Sequence, residues 1–161
     1  MRNRVIEADL SQLEQQEAVV SLLDMYARDP MANGSGLPEA VKRDLIAGLR
    51  AHPTTVVFLG YHDDRAVGIA LCFIGFSSFY ARRLMNIHDL AVAPEGRRLG
   101  LARALLEAVD NKARELDCCK VTLEVMANNA PARALYESEG FKPYARDANT
   151  SQTLMLQKML G

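Results

Sequence analysis

No stretch of this sequence is apolar for long enough to cross a bilayer, and the opening segment MRNRVIEADLSQ has no apolar core of the kind that directs secretion. Neither sign of charge dominates: 19 Lys and Arg stand against 20 Asp and Glu, for a formal net charge of −1. A dedicated nucleic-acid binder normally shows a basic excess, so that class is set aside. Cysteine is scarce, with Cys72, Cys118 and Cys119 making an odd count without the spacing of a metal site. Adjacent Cys118 and Cys119 fall where a strand should begin, which points to buried thiols in a reducing cytoplasm. Internal repeats and low-complexity tracts are also missing. The expectation is a soluble cytoplasmic protein with no membrane, nucleic-acid or metal partner.

What remains is ordinary globular material. The chain has 161 residues, 49% apolar and 24% charged, which suits one domain over 1–161 able to bury roughly 70% of its unfolded surface. RNRVIEA reads as a first strand. Ser11, with Glu14 three residues on, has the pattern of a helix-starting capping box. Apolar residues then recur at three-and-four spacing to about Ala27. DPMANGSGLP is a loop, and PEAVKRDLIAGL is a second helix with Pro38 near its first position, ended by His52-Pro53. TTVVFLGY and RAVGIALCFIGF make a hairpin around the HDD turn. LMNIHDLAV is a further strand, closed by Pro94. A helix from Gly100 through Leu116 carries Leu101, Leu105, Val109, Ala113 and Leu116 on one stripe. KVTLEVM is a strand, followed by a helix over about Ala130 to Glu139 that stops at Gly140. FKPYARD and SQTLMLQKM close the chain around an Asn149-Thr150 turn. The order β-α-α-β-β-β-α-β-α-β-β is an α/β architecture, a mixed sheet flanked by helices.

The turn before the clearest helix reads EGRRLGLARALLEAV. A helix start leaves backbone N–H groups without partners and carries partial positive charge. Glycine lets an anion approach the backbone, and arginine offers a fork for phosphate oxygens. The spacing Arg97-x-x-Gly100-x-Ala102 is neither GxxxxGK[ST] nor GxGxxG. Alone, it is equally a tight turn with solvated arginines.

Further on, residues 124–144 carry N-x-x-A-x-x-L-Y-x-x-x-G-F as Asn129, Ala132, Leu135, Tyr136, Gly140 and Phe141. With the arginine-glycine turn upstream and strands and helices alternating across both, the chain resembles the GNAT superfamily of acyl-CoA-dependent N-acyltransferases. That resemblance implies acetyl-CoA as co-substrate. It assigns the diphosphate to the backbone of Arg97, Arg98, Leu99, Gly100, Leu101 and Ala102. It also implies a splayed central sheet whose walls, residues 87–92 and 121–126, hold the pantetheine arm. A backbone N–H among Leu90, Ala91 and Val92 would polarise the thioester carbonyl. Asn129 and Ala132 would hold the arm and the helix start.

Tyr136, at the family's tyrosine position, would protonate the departing thiolate, because a phenol near 10 outlasts a thiol near 8.5. Without the family it reads as a core aromatic. An attacking amine must lose a proton, and His88 and Asp89 interrupt an apolar run. Strict alternation would turn them to opposite faces. This stretch looks like the diamine and spermidine acetyltransferase branch, which commonly has glutamate where His88 stands; imidazole titrates in a suitable range. The departure unsettles a polyamine acceptor. Glu124 is a third candidate, on the face opposite Val121, Leu123 and Val125.

The acceptor pocket would be shaped by residues 29–37 and 76–84, and no acidic patch is visible in the sequence to secure a polycation. The implied function is transfer of acetyl to the amine of a small molecule, diamine, polyamine or amino-acid-like. A protein or peptide acceptor and a non-catalytic acyl-CoA sensor are the alternatives. Dimerisation is common in the family, so a homodimer is expected.

Overall fold

The computed structural model describes residues 2–143 and 153–160. Its elements follow the expected order: β1 (Asn3–Glu7), α1 (Leu13–Ala27), α2 (Glu39–Ala51), β2 (Thr55–His62), β3 (Arg65–Ser77), β4 (Arg82–Val92), a 3-10 turn at Pro94–Gly96, α3 (Leu101–Glu115), β5 (Lys120–Met126), α4 (Ala130–Ser138), β6 (Lys142–Pro143) and β7 (Thr153–Met159). The seven strands form one mixed sheet in the order β1-β2-β3-β4-β5-β7-β6. Residues 144–152, including the expected Asn149-Thr150 turn and most of the FKPYARD strand, lie outside the described residues. Among the described residues no helix is long and apolar enough to cross a membrane.

Side chains alternate across a strand, so each strand feeds two layers. Val57 and Leu59 of β2 and Ile69 and Leu71 of β3 pack with Val19, Leu22 and Leu23 of α1 and Leu49 of α2. Val56, Phe58, Ala70 and Cys72 pack instead with Leu105, Leu106, Val109 and Ala113 of α3 and Tyr136 of α4. The apolar stripe of α3 is therefore buried as its spacing predicts, each leucine contributing about 1.5–3 kcal/mol. The capping box at Ser11 does not form. Asp9 Oδ1 accepts from both Ser11 N–H (3.0 Å) and Ser11 Oγ (2.7 Å), so α1 starts later, after Gln12 and without a side-chain cap. All three cysteines are buried and free.

Two irregularities place the site. β3 and β4 are antiparallel, but Leu71 pairs with Asp89 while Cys72 pairs with Ile87, leaving His88 as the extra residue of a β-bulge. The bulge resets the alternation. Met85 and Ile87 face the α3 layer, whereas Ala91 faces the α1 layer. The second irregularity lies on the other edge of β4. Its parallel pairing with β5 covers only Met85–Val121, Asn86–Thr122 and Ile87–Leu123, after which the strands part. Asn86 Nδ2 donates to the buried Thr122 Oγ1 at 2.9 Å and pins the closed end of this fork.

Candidate active site

Beyond the fork a cleft of about 640 Å³ opens. The walls of the V are shorter than the resemblance implied: His88 to Val92 on β4 and Glu124 to Met126 on β5, because pairing persists through Ile87 and Leu123. Past that point, among the described residues, the facing edge of β4 has no strand neighbour, and such an edge presents N–H and C=O groups to whatever enters. Leu90, Ala91 and Val92 line it. Arg97 Nε donates to the Val92 carbonyl at 3.3 Å, which ties the turn to the end of this edge.

The two glycines of the turn do different work. A Cβ at Gly96 would lie 2.8 Å from Val67 Cγ2, so this buried glycine is dictated by packing. A Cβ at Gly100 would meet nothing within 4 Å, yet its φ of +77° is a left-handed conformation that side chains resist. Arg98 is also left-handed, with φ 61°. The first helical bond of α3 runs from Ala104 N–H to the Gly100 carbonyl at 3.0 Å. The N–H groups of Leu101, Ala102 and Arg103 therefore have no helical acceptor. Open space, free donors, the helix dipole and exposed Arg97 and Arg98 make a cradle that fits an anionic group such as a diphosphate. Leu99 is held at the outside of this turn, its carbonyl accepting from Asn3 Nδ2 at 2.5 Å. Arg103 bonds Glu139 and braces α3 against α4.

α4 starts at the same cleft. Asn129 Oδ1 accepts from Ala132 N–H at 3.3 Å, a side-chain cap, and Pro131 sits in the first turn where its missing N–H costs nothing. Nearly two turns on, Tyr136 packs edge-on against Phe141 with ring centroids 5.9 Å apart, and it lines the cleft. It is thus both readings at once: a core aromatic and a cleft residue. Burial, with Tyr26 as a smaller cause, pushes its phenol up to about 12.

The bulge corrects the expectation for His88 and Asp89. They share the α1 side: Asp89 is the register partner of Leu71, and the His88 ring meets Phe73 edge-on at 5.6 Å, both partners belonging to the α1 layer. His88 lines the cleft, while Asp89 sits behind it, beside Tyr26. Burial raises the Asp89 carboxyl above the ordinary carboxylate range, and His88 opposes that shift. Glu124 lines the opposite wall, one residue past the last strand pair just as His88 is.

Sequence reasoning missed Met25 and Tyr26, whereas Met31 lies in the 29–37 loop expected to shape the acceptor pocket. The first two read as core residues at the end of an amphipathic helix, and only the parting of β4 from β5 turns that helix end into a wall. Asp29 lies in the loop expected to shape the acceptor pocket, and with Glu124 it makes the cleft acidic where the sequence showed no acidic patch. Residues 76–84 lie at the other end of β4, and Arg82 there is engaged by Asp117 at 2.7 Å.

Comparison with known proteins agrees with this geometry. The model of the acetyltransferase (GNAT) family matches residues 19–141. The chain is 28% identical over 125 residues to the uncharacterised N-acetyltransferase YhfO of Bacillus subtilis, covering 78% of this chain and 82% of the relative. A shorter segment of 56 residues is 46% identical to the ribosomal protein bS18-alanine N-acetyltransferase of Escherichia coli, covering 35% of this chain and 38% of that enzyme. A crystal structure of a probable acetyltransferase superposes with a TM-score of 0.76 at 28% identity, over 88% of this chain and 91% of the other. The NatC complex bound to Gag peptide and CoA has the same fold, with a TM-score of 0.76 at 20% identity over the whole of both chains. The chain belongs to the acetyltransferase (GNAT) family.

Proposed function

We propose that this acetyltransferase moves an acetyl group from acetyl-CoA directly onto a primary amine, and that the amine belongs to a peptide or protein. The observation that carries the reading is the parting of β4 and β5 just before His88 and Glu124, with an anion cradle at one end of the opening and a buried phenol on its side. Acetyl-CoA supplies a thioester. The N–H groups of Leu101, Ala102 and Arg103, with Arg97 and Arg98, hold its diphosphate. The free edges of β4 and β5 hold its arm, and an N–H among Leu90 to Val92 polarises the thioester carbonyl. Asn129 and Ala132 fix the start of α4 beside it.

His88 or Glu124 takes the proton that an attacking ammonium must lose, since an alkyl amine is about 10.4 in water. Asp89 sits behind His88 and orients it. Tyr136 donates a hydrogen bond to the sulfur as thiolate character develops. Full transfer from a phenol near 12 to a thiolate near 8.5 is uphill on its own. It therefore completes only as the proton shed by the amine enters the same cleft.

The peptide acceptor is supported by the likeness to an enzyme that acts on the alanine of a ribosomal protein. The diamine and spermidine branch gains no such support from the relatives described above. One observation keeps a small amine as a second reading: a 640 Å³ cleft with Asp29 and Glu124 on its lining lies within the range of small-molecule pockets. Release of free CoA thiol from acetyl-CoA, followed across short peptides, amino acids, diamines and polyamines, tests both. Saturable release with peptides supports the first reading, and release confined to diamines or polyamines replaces it with the second. Thiol release with no amine, in the absence of any acceptor that saturates, refutes direct transfer.

A further inference from the structure

Three methionines line the cleft: Met25 on α1, Met31 in the loop after it and Met126 at the end of β5. Met25 packs against the α1-side core, but core packing does not account for the other two. Among the described residues neither Met31 nor Met126 belongs to a buried apolar cluster, and Met31 is 38% exposed. Met126 is placed by alternation. Val121, Leu123 and Val125 are buried in the α3 layer, so Glu124 and Met126 share the other face, roughly 7 Å apart along the strand. Thr153 Oγ1 lies 3.6 Å from the Met126 sulfur and donates to it, which holds the thioether in place. Across the cleft, the loop carrying Met31 is fixed by its own N–H donating to Asp29 Oδ1 at 2.8 Å and by Leu37 N–H donating to Asp24 Oδ1 at 2.8 Å. Arg97, the one Lys or Arg among the described residues lining the cleft, stands at the cradle end.

An amine that loses its proton to His88 or Glu124 has its carbon next to that pair. The group it carries can then extend one strand step outward, to the level of Met126, with Met25 and Met31 on the facing wall. Thioethers are unbranched and polarisable and accommodate varied apolar shapes. We infer that Met25, Met31 and Met126 form an apolar subsite that reads the substituent borne next to the acceptor amine, so that the preferred acceptor carries a flexible apolar group there. This rests on the acyl-transfer reading above, and it adds what the carboxylates cannot supply: Asp29 and Glu124 attract any cation, whereas the methionines select among them.

The test is a series of amides that share one α-amine: glycinamide, alaninamide, norvalinamide and norleucinamide. In the wild-type protein kcat/KM for thiol release rises about threefold or more for each added methylene. In Met31→Ser that rise flattens while acetyl-CoA affinity and Tm hold, and in Met25→Ser/Met31→Ser, which also loses core packing, it flattens more fully; Met31→Leu keeps it. Equal kcat/KM along the wild-type series, or a slope unchanged in the serine variants, overturns the subsite. Release with spermidine but with no amide also overturns it, and leaves acetyl transfer standing. Release with no amine at all overturns the acyl-transfer reading together with it.

Discussion

Tyr26 and Tyr136 pack on opposite sides of the sheet, one with the α1 layer and the other with the α3 layer, yet both line one cleft. An intact sheet would keep them apart. They share a cleft because β4 and β5 stop pairing at Ile87 and Leu123. Each phenol is raised by burial first, and each then responds to a neighbour: Tyr26 to Asp89, Tyr136 to Tyr26.

Tyr136→Phe removes the hydroxyl and keeps the packing against Phe141. The expected outcome is a fall in kcat of about 100-fold or more with acetyl-CoA affinity nearly intact, read by steady-state kinetics and by direct binding. Because the phenol is held at about 12, its ionisation causes no loss of rate below about pH 10. The linked stability has the same sign. A folded value above the unfolded value of about 10 contributes stability below pH 10, and that contribution is lost as pH rises toward 12. Wild-type turnover in the phenylalanine variant would exclude any role for the hydroxyl.

Asp89→Asn separates chemistry from folding. Burial raises the carboxyl, so the folded state binds its proton more tightly than the unfolded chain does. Stability is then highest below the ordinary carboxylate range and falls as pH rises through the raised folded value. The asparagine variant escapes that loss. Its Tm exceeds the wild-type Tm at about pH 7, and the difference closes as pH falls toward 4. A difference that is constant with pH would mean that Asp89 is not burdened by its burial.

His88→Ala and Glu124→Gln test the proton acceptor. Each is expected to lower kcat/KM by about 100-fold, and the double variant to lose little more, since groups acting on one proton are not additive. Losses that multiply in the double variant would assign the two residues to separate tasks.

Gly96→Ala and Gly100→Ala are expected to fail differently. At Gly96 the new methyl group meets Val67 at 2.8 Å, so Tm falls and acetyl-CoA affinity is kept in the folded fraction. At Gly100 the substitution meets no atom, but the left-handed backbone costs about 1–2 kcal/mol. Gly100→Asn tolerates that conformation while filling the open space, so its Tm stays near wild type and its KM for acetyl-CoA rises. An asparagine variant with unchanged KM would show that nothing binds against this turn.

The element order, the burial of the α3 stripe and the end of α4 near Gly140 were legible because each rests on local rules: strand and helix spacing and a glycine stop. The cleft was legible only through the paired motifs around Gly100 and Tyr136. Two things were hidden. Strict alternation placed His88 and Asp89 on opposite faces, and a bulge is one residue of irregularity that no period reveals. Tyr26 and Met25 carry no motif, and their exposure to the cleft depends on where a distant pair of strands stops pairing. Glu124 was visible as an outward carboxylate, but its place beside the fork needed the β4–β5 register.

The bulge at His88 also makes length a functional quantity. Between the pinned pair at Asn86 and the turn at Pro94, one residue fewer would restore a regular ladder with β3. Asp89 and Ala91 would keep the α1 side they already share, and the cleft wall would lose the extra side chain that the bulge turns toward it. Substitutions along this segment can be graded by size and charge, whereas a one-residue deletion has no mild form. Strand β4 therefore tolerates spelling changes better than counting errors.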